Sequence, residues 1–259
     1  MVEADVDLAR RFGGVARLYG AGALTRLAAA HVCVVGIGGV GAWVAEALAR
    51  SGVGGMTLID LDHVAESNVN RQVHALESTL GQAKVLAMRA RIAEINPLAR
   101  VEVVEAFLTP DNADTLLQGF DLVVDAIDQL RAKVALVAAC RARGIPVVVA
   151  GGAGGKTDPT AIRVADLART EHDPLLAKLR RQLRAEHGFP RDPKRRFGVE
   201  AVFSVESMRR PVVCEAGDSP APTGLSCAGY GSSVMVTASF GLVAAARALD
   251  HLLEIRREA

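Results

Sequence analysis

A glycine-rich turn near the start of the chain could hold a phosphate group. Its glycines are Gly36, Gly38, Gly39 and Gly41. They follow the apolar run His31–Val35 and precede a segment with helical spacing, so the backbone can approach a phosphate at the positive end of the helix. Asp60 stands nineteen residues beyond Gly41, where a carboxylate can accept hydrogen bonds from a ribose. These features predict a nucleotide site, and taken alone they also fit a nicotinamide dehydrogenase.

The polar residues that follow Asp60 favour a triphosphate over a dinucleotide. Asn68, Asn70 and Arg71 lie on a predicted loop, and Lys84 begins the next predicted helix. Two cations and two amides match the charge of a triphosphate, which a dinucleotide lacks. Arg71 and Lys84 could instead be ordinary surface charges.

Asp128 is the candidate metal ligand. It follows the predicted strand Asp121–Ile127, and the carboxyl ends of parallel strands meet at one edge of a sheet. A carboxylate there could hold magnesium beside the phosphates. The alternative is that Asp128 caps the following helix.

The elements that must position these residues alternate between strand and helix. Predicted strands are His31–Val35, Met56–Leu61, Val101–Phe107, Asp121–Ile127, Pro146–Ala150, Ala161–Leu167 and Ala201–Val205. Helical spacing between the early strands predicts β-α-β units, hence an α/β, Rossmann-like, doubly wound and mainly parallel sheet. We expect one domain over residues 1–259, with a nucleotide-binding core at about 30–155 and a C-terminal substrate-binding and interface part at about 156–259.

Composition excludes several classes of protein. The chain has 259 residues, 30 Lys and Arg, 29 Asp and Glu, and half of its residues are hydrophobic, which excludes a disordered chain. Four scattered cysteines are too few for a disulfide scaffold. The first twelve residues are charged and contain no apolar run, so the sequence predicts a cytoplasmic protein without a signal peptide.

Although the net charge of the chain is close to zero, positive charge is concentrated in a basic segment between residues 178 and 196. It contains eight cations and only two acids. The cations are Lys178, Arg180, Arg181, Arg184, Arg191, Lys194, Arg195 and Arg196. A solvated helix and loop would explain the segment, and so would a phosphate-rich partner such as a nucleic acid.

Residues 219–246 carry no charge. The stretch is long enough to cross a bilayer, but it contains two prolines, several glycines and many hydroxyl side chains. Arg247, Asp250 and His251 continue the same helix. The sequence therefore favours a helix that is buried or forms a dimer interface over one inserted in a membrane.

The order GIGGVG, DLDHVAESNVNRQ, GQAK and DAID resembles the ubiquitin-activating-enzyme-like adenylating superfamily. Its members attack the α-phosphate of ATP with a carboxylate and release pyrophosphate. The resemblance implies that Asp60 binds ribose, that Asn68, Arg71 and Lys84 handle the phosphates, and that Asp128 coordinates Mg²⁺.

The resemblance also implies a homodimer. In such a dimer an N-terminal arginine reaches the triphosphate of the neighbouring subunit. Arg17, within RFGGVARLYG, is the expected residue, and Arg11 is the alternative.

Members that activate sulfur-carrier proteins commonly hold structural zinc with two CxxC pairs. This sequence has no CxxC, so no structural zinc is expected. The segments RFGGVARLYG, GGAGGKTDPT and SCAGYGS, together with the basic segment, instead resemble a bacterial branch that dehydrates threonylcarbamoyladenosine beside the anticodon of tRNA.

That branch implies a tRNA partner for the basic segment. The expected phosphate contacts come from Arg180, Arg181, Lys194, Arg195 and Arg196, and the aromatic residues that flank the segment are Phe189 and Phe197. Reversing Arg195 and Arg196 to Glu should weaken tRNA binding but not ATP binding.

Cys227 has three interpretations. It could be an ordinary buried cysteine, form a thioester with the acyl group, or accept sulfur from a cysteine desulfurase partner.

Two other functions of the protein also remain: adenylation of a sulfur-carrier protein that ends in Gly-Gly, and a non-catalytic role in sulfur transfer.

Overall fold

The structure, a computed structural model, describes residues 6–192, 194–209 and 230–255. Its strands are β1 (His31–Val35), β2 (Gly55–Ile59), β3 (Arg100–Val104), β4 (Leu122–Asp125), β5 (Val147–Ala150), β6 (Ile162–Asp166) and β7 (Glu200–Ser204). Its helices are α1 (Leu8–Tyr19), α2 (Ala23–Ala29), α3 (Gly41–Arg50), α4 (Lys84–Ile95), α5 (Ala113–Leu116), α6 (Leu130–Arg143), α7 (Pro174–Glu186) and α8 (Val234–Leu252).

The seven strands form one sheet in the order β3-β2-β1-β4-β5-β7-β6. All neighbouring pairs are parallel except β6 and β7, which are antiparallel. Starting from β1, the chain adds β2 and β3 on one side of the sheet, and then returns to add β4 and the later strands on the other side of β1. A crevice therefore opens between the carboxyl ends of β1 and β4, where doubly wound sheets bind ligands. The predicted fold class is confirmed.

Helices cover the sheet on both faces, as the apolar strands require. On β1, Val32 and Val34 belong to the core that contains α3, α4 and α8, whereas Cys33 and Val35 belong to the core that contains α6 and α7. Burial raises the pKa of the Cys33 thiol well above its usual range and that of Cys140 to about 12. Both thiols are core groups.

β3 and β4 are among the strands that end earlier than their apolar patterns indicated. β3 ends at Val104 rather than Phe107, and β4 ends at Asp125 rather than Ile127. The remaining apolar residues belong to loops that line the crevice, so their hydrophobicity reflects a binding site and not a longer strand.

The final helix α8 packs against α3 and the sheet. The approach is close enough that a Cβ on Gly241 would lie 2.6 Å from the Val40 carbonyl oxygen. Phe240, Ala244 and Ala248 are buried along its inner face. Among the described helices, none is long and apolar enough to cross a membrane.

Candidate active site

The crevice at the carboxyl ends of β1, β2 and β4 encloses about 320 Å³. It brings together most of the residues that the sequence singled out. Those lining it are Gly36, Gly38, Gly39, Asp60, Asn68, Arg71, Lys84 and Asp128. Gly41, Asn70 and Arg17 do not line it.

Three glycines of the glycine turn, Gly36, Gly38 and Gly41, have different surroundings, and each lacks a side chain for a different reason. Gly36 has a φ of 86°, and a Cβ there would lie 2.9 Å from a side-chain methyl of Ile127. A Cβ on Gly41 would lie 1.8 Å from the Gly36 carbonyl oxygen, so Gly41 allows the start of α3 to pack against the glycine turn, and it does not line the crevice. Gly38 has no neighbour within 4 Å of its Cβ position and leaves room for a phosphate.

Asp60 follows β2 directly and is oriented by backbone donors. Its Oδ2 accepts a hydrogen bond from the Ile37 amide at 2.6 Å, and its Oδ1 accepts one from the Asp62 amide at 2.9 Å. Burial raises the pKa of Asp60, and these amides and Lys84 act in the opposite direction. The carboxylate therefore links the glycine turn to the end of β2 in a fixed orientation.

The two crevice cations are held by the protein and are not free surface charges. Lys84 opens α4, is nearly buried, and its Nζ lies 2.7 Å from Oδ2 of the half-exposed Asp62. Arg71 donates from Nη1 to the Ser67 carbonyl at 2.7 Å and to Oδ1 of Asn70 at 2.9 Å. Both cations line the crevice. Lys84 is buried and so is not an ordinary surface charge, whereas Arg71 is half-buried.

The two asparagines have supporting contacts. Asn68 lines the crevice, and its Oδ1 accepts a hydrogen bond from the Ala65 amide at 3.1 Å. Asn70 is exposed outside the crevice and donates to the Ser232 carbonyl at 2.9 Å. The amide group of Asn70 contacts Arg71 and the segment that leads into α8, and its direct contact with a nucleotide stays a prediction.

Asp128 lies on the exposed loop between β4 and α6 and lines the crevice. The residue that caps α6 is Gln129, so the capping interpretation of Asp128 is wrong. The Asp128 carboxylate is free of that role and faces the same space as the crevice cations.

A buried ion pair supports this loop, and sequence reasoning missed it. The Nζ of Lys133 lies 2.8 Å from Oδ2 of Asp125, and both side chains are fully buried. Lys133 also donates to the Ala150 carbonyl at 3.0 Å, and Asp125 accepts from the Ile127 amide at 3.2 Å. The signal was a single lysine on the apolar part of α6, five residues beyond Asp128.

Gln72 is a second residue that the sequence reading passed over. It is buried, lines the crevice beside Arg71, and its Oε1 accepts no hydrogen bond within the described part of the chain. A polar amide next to a candidate phosphate-binding arginine is the signal that would have identified it.

The N-terminal arginines do not reach the crevice of their own chain. Arg17 is exposed on α1. Arg11 donates to the Ile95 carbonyl at 3.0 Å and lines a separate cavity of about 730 Å³ between α1 and α4. The assignment of either arginine to a neighbouring subunit stays a prediction.

The basic segment forms α7 and the loop that follows it. Arg181, Lys194, Arg195 and Arg196 are exposed. Arg180 is half-buried and hydrogen-bonds Oγ1 of Thr170, and burial lowers its pKa. Arg180 is therefore partly committed to the protein, whereas the other four predicted cations are open to solvent.

The two aromatic residues of this segment are unavailable for base stacking. Phe189 and Phe197 are buried and pack against each other at a centroid distance of 4.9 Å. Arg141 covers the Phe189 ring at 4.1 Å, and Arg184 lies 5.1 Å from the Phe197 ring. These rings anchor the segment to the core.

Cys227 and Cys214 lie outside the described residues. Among the residues that are described, no group of three or more His, Cys, Asp or Glu side chains could hold a metal ion. A metal in the crevice would therefore need oxygen ligands from a bound nucleotide or from water in addition to Asp128.

Comparison with known proteins agrees with this geometry. The model of the ThiF family matches residues 12–259. The chain belongs to the ThiF family. Its ThiF-family relatives include tRNA threonylcarbamoyladenosine dehydratase of Escherichia coli, 51% identical over 94% of both chains, and that of Haemophilus influenzae, 48% identical over 95% of this chain and 94% of the relative.

The ThiF-family similarity extends to three dimensions. A crystal structure of E. coli tRNA N6-threonylcarbamoyladenosine dehydratase in complex with ATP has a TM-score of 0.87 and 49% sequence identity. The match covers 98% of this chain and 98% of that chain. Nearly the whole chain therefore has a counterpart in that structure.

Proposed function

We propose that this protein is an ATP-dependent enzyme that dehydrates threonylcarbamoyladenosine next to the anticodon of tRNA. The proposal is supported by two dehydratase relatives at about half identity over nearly the whole chain. A similar structure that contains ATP adds support for the nucleotide.

The observation that carries the proposal is the composition of one crevice. Asp60, Arg71, Lys84 and Asp128 line the same space at the carboxyl ends of the parallel strands. A ribose-binding carboxylate, two fixed cations and a free carboxylate together suit ATP and its metal ion. The same set has no evident use in hydride transfer, so a nicotinamide enzyme is disfavoured.

The chemistry requires ATP because a carboxylate is a poor electrophile. One oxygen of the threonyl carboxylate attacks the α-phosphorus of ATP, and the bond to pyrophosphate breaks. The resulting mixed anhydride carries AMP as a good leaving group. A nitrogen of the same modification then attacks the activated carbonyl, a five-membered ring closes, and AMP leaves, so that the nucleoside loses one water.

The crevice residues have distinct parts in the first step. Lys84 is held by Asp62 at 2.7 Å and can exchange that exposed carboxylate for a phosphate oxygen. The guanidinium of Arg71 is held by hydrogen bonds to the Ser67 carbonyl and to Oδ1 of Asn70. Fixed cations of this kind stabilise the charge that develops on the phosphates without reorganising during the reaction.

Magnesium fits the remaining group. Mg²⁺ is usually bound through one or two carboxylates together with substrate phosphates and water, and Asp128 supplies one such carboxylate in the crevice. The bound ion would neutralise phosphate charge during displacement of pyrophosphate.

Ring closure needs no nucleophile from the enzyme. The attacking nitrogen belongs to the same molecule as the activated carbonyl, so its effective concentration is high. Cys227 therefore has no required part in the proposed reaction, and a thioester with it is optional.

We propose two macromolecular partners, tRNA and a second copy of this chain. The exposed cations of the basic segment bind tRNA phosphates, and a homodimer supplies Arg17 or Arg11 to the neighbouring crevice. A tRNA substrate also agrees with a cytoplasmic protein.

The test is release of AMP from ATP and Mg²⁺ with tRNA that carries threonylcarbamoyladenosine, compared with unmodified tRNA. The tRNA from the same samples is digested, and the masses of the nucleosides are measured by mass spectrometry. We expect AMP only with the modified tRNA, together with loss of one water from that nucleoside. AMP formation that instead depends on a carrier protein ending in Gly-Gly would replace this function, and no turnover with either substrate would indicate a non-catalytic role.

A further inference from the structure

The loop that follows β5 forms one wall of the crevice, and no step of the proposed reaction uses it. Its residues Gly151, Gly152 and Ala153 line the crevice, and we call them the β5 wall. In the sheet, β5 lies beside β4, on the side away from β1 and β2. Two strand spacings, about 10 Å, separate β5 from β1. The β5 wall therefore lies beyond Asp128, on the opposite side of the crevice from Asp60.

A buried carboxylate holds this wall in place. The Oδ2 of Asp173 accepts a hydrogen bond from the Gly152 amide at 2.8 Å. A Cβ on Gly151 would lie 2.3 Å from the same oxygen, so the wall packs directly on the carboxylate and only glycine fits there. Lys156 is also buried, and its Nζ lies 3.8 Å from Oδ2 and donates to the Ser204 carbonyl at 3.5 Å. The carboxylate is thus used inside the protein and is neutralised by a neighbouring cation.

The other oxygen of Asp173 begins the helix that carries the basic segment. Asp173 is the N-cap of α7, and its Oδ1 accepts a hydrogen bond from the Leu176 amide at 2.9 Å. Leu175, in the first turn of α7, lines the crevice. Further along the same helix, Lys178 and Arg181 are exposed. One carboxylate therefore joins the wall of the crevice to the helix whose cations we assign to tRNA.

We propose that Asp173 is a positioning residue that fixes the β5 wall relative to α7, and so places the reacting carboxylate of bound tRNA in the crevice. This inference rests on the proposed function. The tRNA is held by phosphates at one place and reacts at another, so its modified base reaches ATP only if the helix and the wall keep a constant relation. Asp173 does not itself line the crevice and acts through the two segments that it joins.

The test separates the two oxygens of Asp173 in the full-length enzyme. Asp173→Asn keeps one oxygen, which is enough to cap α7, because Asn and Asp are similarly good N-caps. Its NH2 group then faces the Gly152 amide, and two donors cannot form a hydrogen bond. Asp173→Ala removes both contacts. A role limited to capping predicts that Asp173→Asn behaves like the wild type, whereas positioning predicts that it fails like Asp173→Ala.

Two further variants serve as controls. Asp166→Asn is matched in chemistry, because Oδ1 of Asp166 accepts from the Ala168 amide at 2.9 Å and Oδ2 accepts from the Gly198 amide at 2.8 Å. Asp166 does not line or adjoin the β5 wall. The double variant Asp173→Asn with Lys156→Met controls for charge, since it removes both charges of the buried pair.

The measurements are kcat and KM for modified tRNA at saturating ATP, the Kd of ATP by equilibrium dialysis, and the urea midpoint of each variant. We expect Asp173→Asn and Asp173→Ala to lower kcat about a hundredfold, the cost of misplacing a reacting group by about 1 Å. The KM for tRNA and the Kd of ATP should stay near the wild type, because the exposed cations and the nucleotide residues are unchanged. The double variant should remain impaired, and Asp166→Asn should keep the wild-type kcat.

Three results would overturn the inference. A wild-type kcat in Asp173→Asn would show that the carboxylate only caps α7, and this variant decides the test alone if Asp173→Ala does not fold. Recovery of kcat in the double variant would show that Asp173 only balances the charge of Lys156. An equal loss of kcat in Asp166→Asn would attribute the effect to lower stability.

The proposed function survives each of these three results. A wild type that forms no AMP with modified tRNA would instead reject the proposed function and this inference with it, so the two failures are distinguishable.

Discussion

The crevice and the basic segment both present cations, but they hold them in opposite ways. Lys84 and Arg71 in the crevice are each fixed by a carboxylate, a carbonyl or an amide oxygen. Lys194, Arg195 and Arg196 in the basic segment are exposed, and within the described residues their side chains make no hydrogen bond or ion pair.

This difference separates two uses of positive charge. A fixed, partly desolvated cation acts at short range on one defined group, and its effect is strong because little water screens it. Solvated cations act together on a polyanion, and their effect falls with salt because it depends on counterion release. We therefore expect substitutions in the crevice to reduce the rate of chemistry and substitutions in the segment to reduce affinity in a salt-dependent way.

The largest expected effect is at Asp128, which would sharpen the assignment of the crevice to chemistry. Asp128→Ala removes the candidate Mg²⁺ ligand, and several kcal/mol of charge stabilisation, about a thousandfold in rate, should be lost. The measurement is the rate of AMP formation at saturating ATP over a range of Mg²⁺ concentrations. Magnesium-dependent AMP formation at the wild-type rate would show that this residue does not hold the ion.

Lys84 tests whether a fixed cation acts on the phosphates or only pairs with Asp62. Lys84→Met should slow AMP formation by about a hundredfold or more, as expected for loss of one preorganised charge. Asp62→Asn is the matched variant, because it keeps the lysine and removes its partner. It should change the rate only a few-fold. If both variants lose activity equally, the ion pair has a structural role and the contrast between the two regions is weakened.

His74 is a buried histidine close enough to Lys84 and Arg91 for their charges to affect its pKa. The side chain is buried, and neither ring nitrogen has a hydrogen-bond partner within the described residues. Burial, followed by the charges of Lys84 and Arg91, lowers its pKa to about 4. The folded state therefore holds this histidine neutral at pH values where the unfolded chain protonates it.

Stability should accordingly fall as the pH falls from about 6.5 towards 4. Above pH 6.5 His74 is neutral in both states. Between about pH 6.5 and 4 the unfolded chain binds a proton at His74 that the folded state does not bind, so the free energy of unfolding falls, by about 2–3 kcal/mol at pH 4.5. The measurement is urea unfolding of the wild type and His74→Gln at pH 7 and 4.5, with His187→Gln as an exposed control. The wild type and the control should lose more stability than His74→Gln, and equal losses in all three would contradict the assignment.

The sequence predicts the crevice well because its signals are local. Glycines at fixed spacing and polar residues at strand ends need only the strand order to meet, and Asp60, Lys84 and Asp128 all line the predicted space. The contact of Asn70 with Ser232 and the role of Lys133 were missed for one reason: the hydrogen-bond partners, Ser232 and Ala150, are distant in sequence. Burial is equally non-local, so Phe189 and Phe197 could not be distinguished from the exposed Phe107 before folding.

The smallest expected effect belongs to the basic segment. Reversing Arg195 and Arg196 to Glu should weaken tRNA binding about tenfold at moderate salt and leave ATP affinity unchanged. Because two phosphate contacts are lost, the slope of log K against log salt should fall by about two. A control that reverses Arg89 and Arg100, two exposed cations outside the segment, should keep the wild-type slope.

The salt slope is the decisive quantity, since a fixed ion pair and a solvated cation can give the same loss of affinity at one salt concentration. A tenfold loss with an unchanged slope would mean that Arg195 and Arg196 hold the protein's own fold and not the tRNA backbone. Equal tRNA affinity in the variant and the wild type would remove the segment from the binding surface. In that case another surface of the protein would have to bind the tRNA phosphates.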